Sequence, residues 1–195
     1  GMTINKSLAG HILVSQPKST NSHFQKSVIL VAQHGPAGAW GVIVNKEASR
    51  LDLRSVMSAA GIDYPEHLMR IPGKNGPVCL GGPVEPSRVH VVHTLDWFSS
   101  GTIKITDNIG ITGEMSILSA IANDEGPEIW RVGVGLAAWS AGQLDGEMSG
   151  IAPWTPDHQW LTCPAEVELV LSGIGDEQWQ RAIDSCVNSR ISEFF

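Results

Sequence analysis

This 195-residue chain has one tyrosine, three cysteines and no long apolar run. Cys79, Cys163 and Cys186 are odd in number, widely spaced and without a CxxC pair. Neither a disulfide framework nor a zinc knuckle is implied, and three reduced thiols are expected. The motif HExxH is absent, and no set of His, Cys, Asp and Glu has zinc-ligand spacing, so neither a metal nor a cofactor is expected. His90 and His93 do not rescue a metal site, because three residues apart on a strand they face opposite ways. No segment approaches the roughly 20 apolar residues that a bilayer-spanning helix needs, since even Val132 to Trp139 is short and broken by glycine. Thr3 to Ser7 are too polar for the apolar core of a secretory signal, and Gly1 ahead of Met2 reads as a scar of tag removal. A cytoplasmic chain off the membrane is expected. Positive charge is scarce: 13 Lys and Arg against 20 Asp and Glu give a formal charge of −7. The basic residues are scattered singly, which disfavours direct nucleic-acid binding.

At 42% hydrophobic residues there is enough apolar material for one sizeable core, and no shift in composition divides the chain. One domain over residues 1–195 is expected. Short apolar runs at 10–15, 27–33 and 39–45 read as strands, the last two forming a hairpin around His34-Gly35-Pro36-Ala37-Gly38. Val28 to Ala32 has no polar face, so this strand should be covered on both sides. Leu53, Val56, Met57 and Ala60 have helical spacing and Gly61 a C-terminal position. Residues 62–77 read as a loop with a turn of helix at 66–69. Strands are expected at 78–80, 89–94, 102–106, 128–138, 160–163 and 167–171, and helices at 114–123, 141–148 and 177–187. Helices do not come after every strand, so the class is α+β rather than doubly wound α/β.

Five segments resemble the AlgH/YqgE family in the family's order: Leu8 to Pro17; Phe24 with Ser27 to Leu30; His34, Gly38-Ala39 and Gly41 to Asn45; Gly81-Gly82-Pro83-Val84; and Trp139, Gly142-Gln143-Leu144, Glu147 and Trp154. The resemblance implies an α+β fold of bent, mostly antiparallel sheets forming pseudo-barrels flanked by helices. Members are bacterial and cytoplasmic, and some are named as regulators of exopolysaccharide production. The resemblance implies no reaction.

Ala138-Trp139-Ser140-Ala141-Gly142 imitates a G-x-S-x-G nucleophile elbow without its first glycine. A helix N-cap accounts for Ser140 without catalysis. Gln143 and Glu147, four apart, share a helix face, and with Trp139 they either bind a polar ligand or serve local packing. His34 and Asn45 bracket the hairpin and would converge if they lay at one end of it; His34 is then either a base or a bond across the turn. Gly81-Gly82 lacks the Lys and Ser/Thr of a phosphate loop, and Cys79 between apolar neighbours reads as a buried thiol. The expectation is a non-enzymatic binding or regulatory protein acting through a protein partner or small ligand, with His34, Asn45, Gly81, Gly82, Trp139, Gln143, Glu147 and Trp154 as binding residues. The alternative is a small hydrolase using Ser140 or Cys79 with His34 as base.

Overall fold

A computed structural model describes residues 6–17, 24–150 and 160–192. Among the described residues nine strands form one curled sheet, eight of them in the order β6-β7-β5-β8-β3-β2-β1-β9. The strands are β1 (His11–Ser15), β2 (Val28–Gly35), β3 (Gly38–Ile43), β4 (Val78–Leu80), β5 (Val84–Thr94), β6 (Thr102–Lys104), β7 (Ile109–Thr112), β8 (Trp130–Trp139) and β9 (Trp160–Pro164). Every neighbour along that path is antiparallel, while the short β4 pairs in parallel with β8. The helices are α1 (Leu53–Ala59), α2 (Glu66–Met69), α3 (Met115–Ala122), α4 (Gln143–Ser149), α5 (Val167–Leu171) and α6 (Gly175–Ser192). The result is the α+β class that patterning predicts, with the sheet curled into a half-barrel.

β2 is covered on both faces, as its unbroken apolar run requires. Val28, Leu30 and Ala32 join the core beneath α5 and α6, and Ile29 and Val31 join a second core with Trp139, Leu144 and Trp160. A third core lies between Val78, Val91 and Val132 of the sheet and the apolar faces of α1 and α3. The first of these helices starts as a capped helix should, with the Asp52 carboxylate accepting the Ser55 N–H at 2.8 Å.

β8 is the hinge of the architecture. Its first half pairs with β4 through Val132 and Val134, and its second half with β3 through Ala137 and Trp139. Between them Gly135 has φ +78°, a conformation a side chain would strain, and this bends the strand from one partner to the next. The opposite edge of β8 pairs with β5, where Val84 meets Leu136 and Val89 meets Val134. Residues 85–88 therefore bulge out of the ladder.

Residues 167–171 form the helix α5, not the expected strand. A five-residue run with four apolar positions cannot be assigned by periodicity alone, and here the position of the backbone carbonyls decides. Gln178 Nε2 donates to the carbonyls of Leu169 and Val170 at 2.9 and 3.0 Å. Arg131 donates to those of Leu171 at 3.3 Å and Gly173 at 2.6 Å. A helical turn aims successive carbonyls in one direction, whereas a strand alternates them. The strand β7 is a further difference, short enough for its Gly110 to hide it in the sequence. The thiols also depart from expectation. Cys163 on β9 and Cys186 on α6 are disulfide-bonded, with Cα atoms 5.1 Å apart, and Cys79 alone is free. Wide sequence spacing concealed a pairing that only the packing of α6 on β9 creates.

Arg131 is buried, and among the described residues none of its partners is a carboxylate. Its guanidinium donates to the Val44 carbonyl at 2.7 Å and to Gln178 Oε1 at 2.8 Å, besides the carbonyls of Leu171 and Gly173. Burial pulls its pKa below the usual guanidinium value. Removing a buried charge that satisfies several carbonyls leaves those acceptors unpaired. Arg131→Ala should therefore cost about 3–5 kcal/mol of stability in urea unfolding, with Arg131→Lys recovering only part of it.

Candidate functional site

Four of the sequence-predicted site residues, His34, Trp139, Gln143 and Glu147, meet where the β2–β3 turn abuts the corner between β8 and α4. The approach depends on Gly38, whose φ is +128° and which packs against the backbone of Trp139 and Ser140. The His34 side chain is almost fully buried. Its Nδ1 accepts the Leu8 N–H at 2.8 Å, which leaves the proton on Nε2, 3.1 Å from Asp145 Oδ1. Both ring nitrogens are thus engaged, and His34 ties the chain before β1 to α4.

Ser140 is not the helix cap expected of it. Gly142, in the left-handed region at φ +76°, holds the N-cap position of α4 and has no side chain to cap with. The relation is reversed: Gln143 Oε1 reaches back to accept the Ser140 N–H at 3.0 Å and its hydroxyl at 3.2 Å. Gln143 Nε2 then donates to Glu147 Oε2 at 2.9 Å, and Trp160 Nε1 donates to Glu147 Oε1 at 3.2 Å. Glu147 is 8% exposed, under an edge-to-face pair of Trp139 and Trp160 with ring centroids 6.4 Å apart. Phe24 completes this aromatic group by stacking on Trp139.

The other predicted residues lie elsewhere. Asn45 is at the far end of the hairpin, since His34 pairs with Ala39 while Ile29 pairs with Ile43. At about 3.3 Å per residue this separates the two by roughly 20 Å. Asn45 Oδ1 accepts the Val28 N–H at 2.8 Å, and its Nδ2 donates to the carbonyls of Lys26 and Gly175 at 2.8 and 3.0 Å, clamping the start of α6 to β2. Gly81 and Gly82 lie against β8: Gly81 N–H donates to the Val134 carbonyl at 2.7 Å, and its own carbonyl accepts the Ile43 N–H at 2.8 Å. The glycines serve a close approach of backbone to backbone. Cys79, beside them, is buried with its thiol toward the Val44 carbonyl, and burial raises its pKa to about 11 against the opposing pull of Arg131. Trp154 lies outside the described residues. His93 bonds Thr112 at 2.7 Å, and no metal-holding cluster occurs among the described residues.

Sequence reasoning missed a concavity on the inner side of the sheet. A cleft of ≈ 500 Å³ opens at the mouth of the half-barrel, walled by Trp40, Val42, Ile103, Ile111 and Leu136, with Arg88, His90 and Glu114 around it. His90 lies on the β5 face that alternation gives it, the same face as the core residue Val92. Its ring fits a niche left by two glycines. A methyl at Gly81 would stand 2.7 Å from His90 Cε1, and one at Gly133 2.5 Å from Nε2. Burial lowers its pKa to about 4, so it is neutral at pH 7.

The family model described as AlgH-like matches residues 12–189. The chain belongs to the AlgH-like family. Among curated proteins, a UPF0301 protein of Methylobacterium nodulans is 36% identical over 179 residues, covering 90% of this chain and 82% of that one. A UPF0301 protein of Marinomonas sp. is 32% identical over 176 residues, covering 90% and 87%. Among solved structures, the AlgH protein from Pseudomonas aeruginosa superposes with a TM-score of 0.73 at 26% identity, covering 96% of this chain and 92% of that one. A Corynebacterium diphtheriae protein shares the fold with a TM-score of 0.68 at 20% identity, covering 93% and 88%. The half-barrel is thus a property of AlgH-like chains, and the predicted family assignment holds over nearly the whole sequence.

His90 makes this AlgH-like fold sensitive to acid. The unfolded chain binds a proton at His90 near pH 6.5 and the folded chain only near pH 4. The stabilisation is complete above pH 6.5 and declines as the pH falls toward 4, by on the order of 3 kcal/mol. His93 is shifted in the same direction, also by burial. Urea unfolding between pH 7.5 and 4 should show this loss, and His90→Gln should flatten a part of it.

Proposed function

We propose that this AlgH-like protein is a non-enzymatic binding protein, and that its site is the cleft at the mouth of the half-barrel. The observation that carries this reading is an apolar cleft beside a buried imidazole that has no hydrogen-bond partner among the described residues. Small-molecule sites are concave, mostly apolar and furnished with a few polar groups, and this cleft has that make-up.

The state of the candidate reactive groups supports binding over hydrolysis. Ser140 gives its hydroxyl proton to Gln143, and the ring nitrogens of His34 are held by Leu8 and Asp145. Nucleophilic catalysis needs a nucleophile within reach of a base. The Cys79 thiol stays protonated at neutral pH and is closed off from solvent. A regulatory role would arise if an occupant altered the face it presents to other molecules, since the cleft wall at Trp40 continues through β3 to the His34 corner.

The uncharged dye Nile red, which brightens in apolar surroundings, should bind with a saturable signal. Leu136→Trp, filling the cleft from β8, should weaken that binding at least tenfold while the far-ultraviolet dichroism stays unchanged. Dye affinity indifferent to this substitution removes the site. Hydrolysis of p-nitrophenyl acetate should be the same for the wild type and for Ser140→Ala; a serine-dependent turnover overturns the non-enzymatic reading.

A further inference from the structure

The chemistry of the cleft narrows what it can hold, and the ligand class it selects depends on the cleft being a binding site, as proposed for this protein's function. The walls contributed by β3, β6, β7 and β8 are apolar: Trp40, Val42, Ile103, Ile111 and Leu136. The two charged residues, Arg88 and Glu114, are exposed and already engaged. Arg88 pairs with Glu85 at 2.9 Å, and Glu114 Oε2 accepts the hydroxyls of Ser99 and Ser116, each at 3.1 Å. Both charges are held at exposed positions, so a charge buried against the apolar walls would lack an enclosed partner and would favour water.

His90 is the polar group left over. It is 9% exposed, neither ring nitrogen is hydrogen-bonded within the described residues, and the Gly81–Gly133 niche fixes the ring. The ring lines the cleft without a partner among the described residues, so an occupant that displaces water from the cleft has to supply that bond itself. A neutral imidazole offers one nitrogen as acceptor. Two aromatic walls, the indole of Trp40 and the ring of His90, suit a flat occupant. An aliphatic chain would match the apolar walls and still leave His90 unpaired.

We propose that the cleft binds an uncharged aromatic molecule of one or two rings whose ring N–H or hydroxyl donates a hydrogen bond to His90. A site built for such a bond discriminates against an analogue lacking the donor.

Indole and 1-methylindole, alike in shape and differing in the donor, serve as probes. Carbon–proton NMR of the full chain tracks the His90 ring and the methyls of Val42, Ile103, Ile111 and Leu136. Indole should shift all of them saturably and bind at least tenfold more tightly than 1-methylindole, which should leave the His90 ring unmoved. His90→Leu should abolish the preference while 1-methylindole still binds; if that variant does not fold, the wild-type ring signal decides. Equal affinity for the two probes, or indole binding with a stationary His90, overturns the ligand class and leaves the cleft reading intact. Failure of both probes while Nile red binds at the cleft also overturns the class alone. Failure of all three removes the binding site itself.

Discussion

A buried guanidinium with no carboxylate partner among the described residues dictates much of this structure. Arg131 must find oxygen for its protons, and it finds it at the end of β3, on α5 and the turn after it, and on α6. Each acceptor has to be held in place by something else. Gln178 is anchored by its own bonds to the carbonyls of α5, and the Val44 carbonyl lies at the end of the hairpin that Asn45 clamps. The charge thus joins the half-barrel to its C-terminal helices through geometry more than through apolar area. Buried charges of this kind are costly when any partner is missing, so they favour a single arrangement of the elements around them.

The second constraint is closeness of backbone. The segment after β4 lies against β8 because Gly81 and Gly82 face the backbone of Gly135 and Leu136, where no side chain could be accommodated, and Gly133 beside them adds none. The same glycines leave the space that His90 occupies. A motif that looked like a tight turn, or a cradle for an anion, is therefore part of the wall of the cleft. In the same way the polar residues after Trp139 are engaged with one another: Gln143 joins the corner at Ser140 to Glu147, and Glu147 joins α4 to Trp160 on β9.

Most of the elements were legible because their patterns are local. The unbroken apolar run of β2 announced cover on both faces, and the spacing of Leu53, Val56 and Met57 announced α1. The strand alternation that separates His90 from His93 was also readable, and it correctly sent the two rings to opposite sides. What escaped was decided by long-range packing. α5 depends on Gln178 and Arg131, the Cys163–Cys186 bond on how α6 lies over β9, and the distance between His34 and Asn45 on the hairpin register. The cleft was the least legible of all. Its walls come from five strands, and the bulge at residues 85–88 that accompanies it has no signature in the order of residues.

The pairing of β1 with β9 has a consequence for how the molecule comes into being. Thr162 on β9 hydrogen-bonds the Ile12 carbonyl across a separation of 150 residues. During synthesis the first hairpin can form early, but one flank of β1 has no neighbour until the last strand is made. The acceptors of Arg131 after α5 and on α6 are made later still. Long-range pairings of this kind are slow to form and leave apolar surface open meanwhile. An incomplete chain thus carries an unpaired edge strand and an unsheltered charge, both of which invite chaperones or proteases.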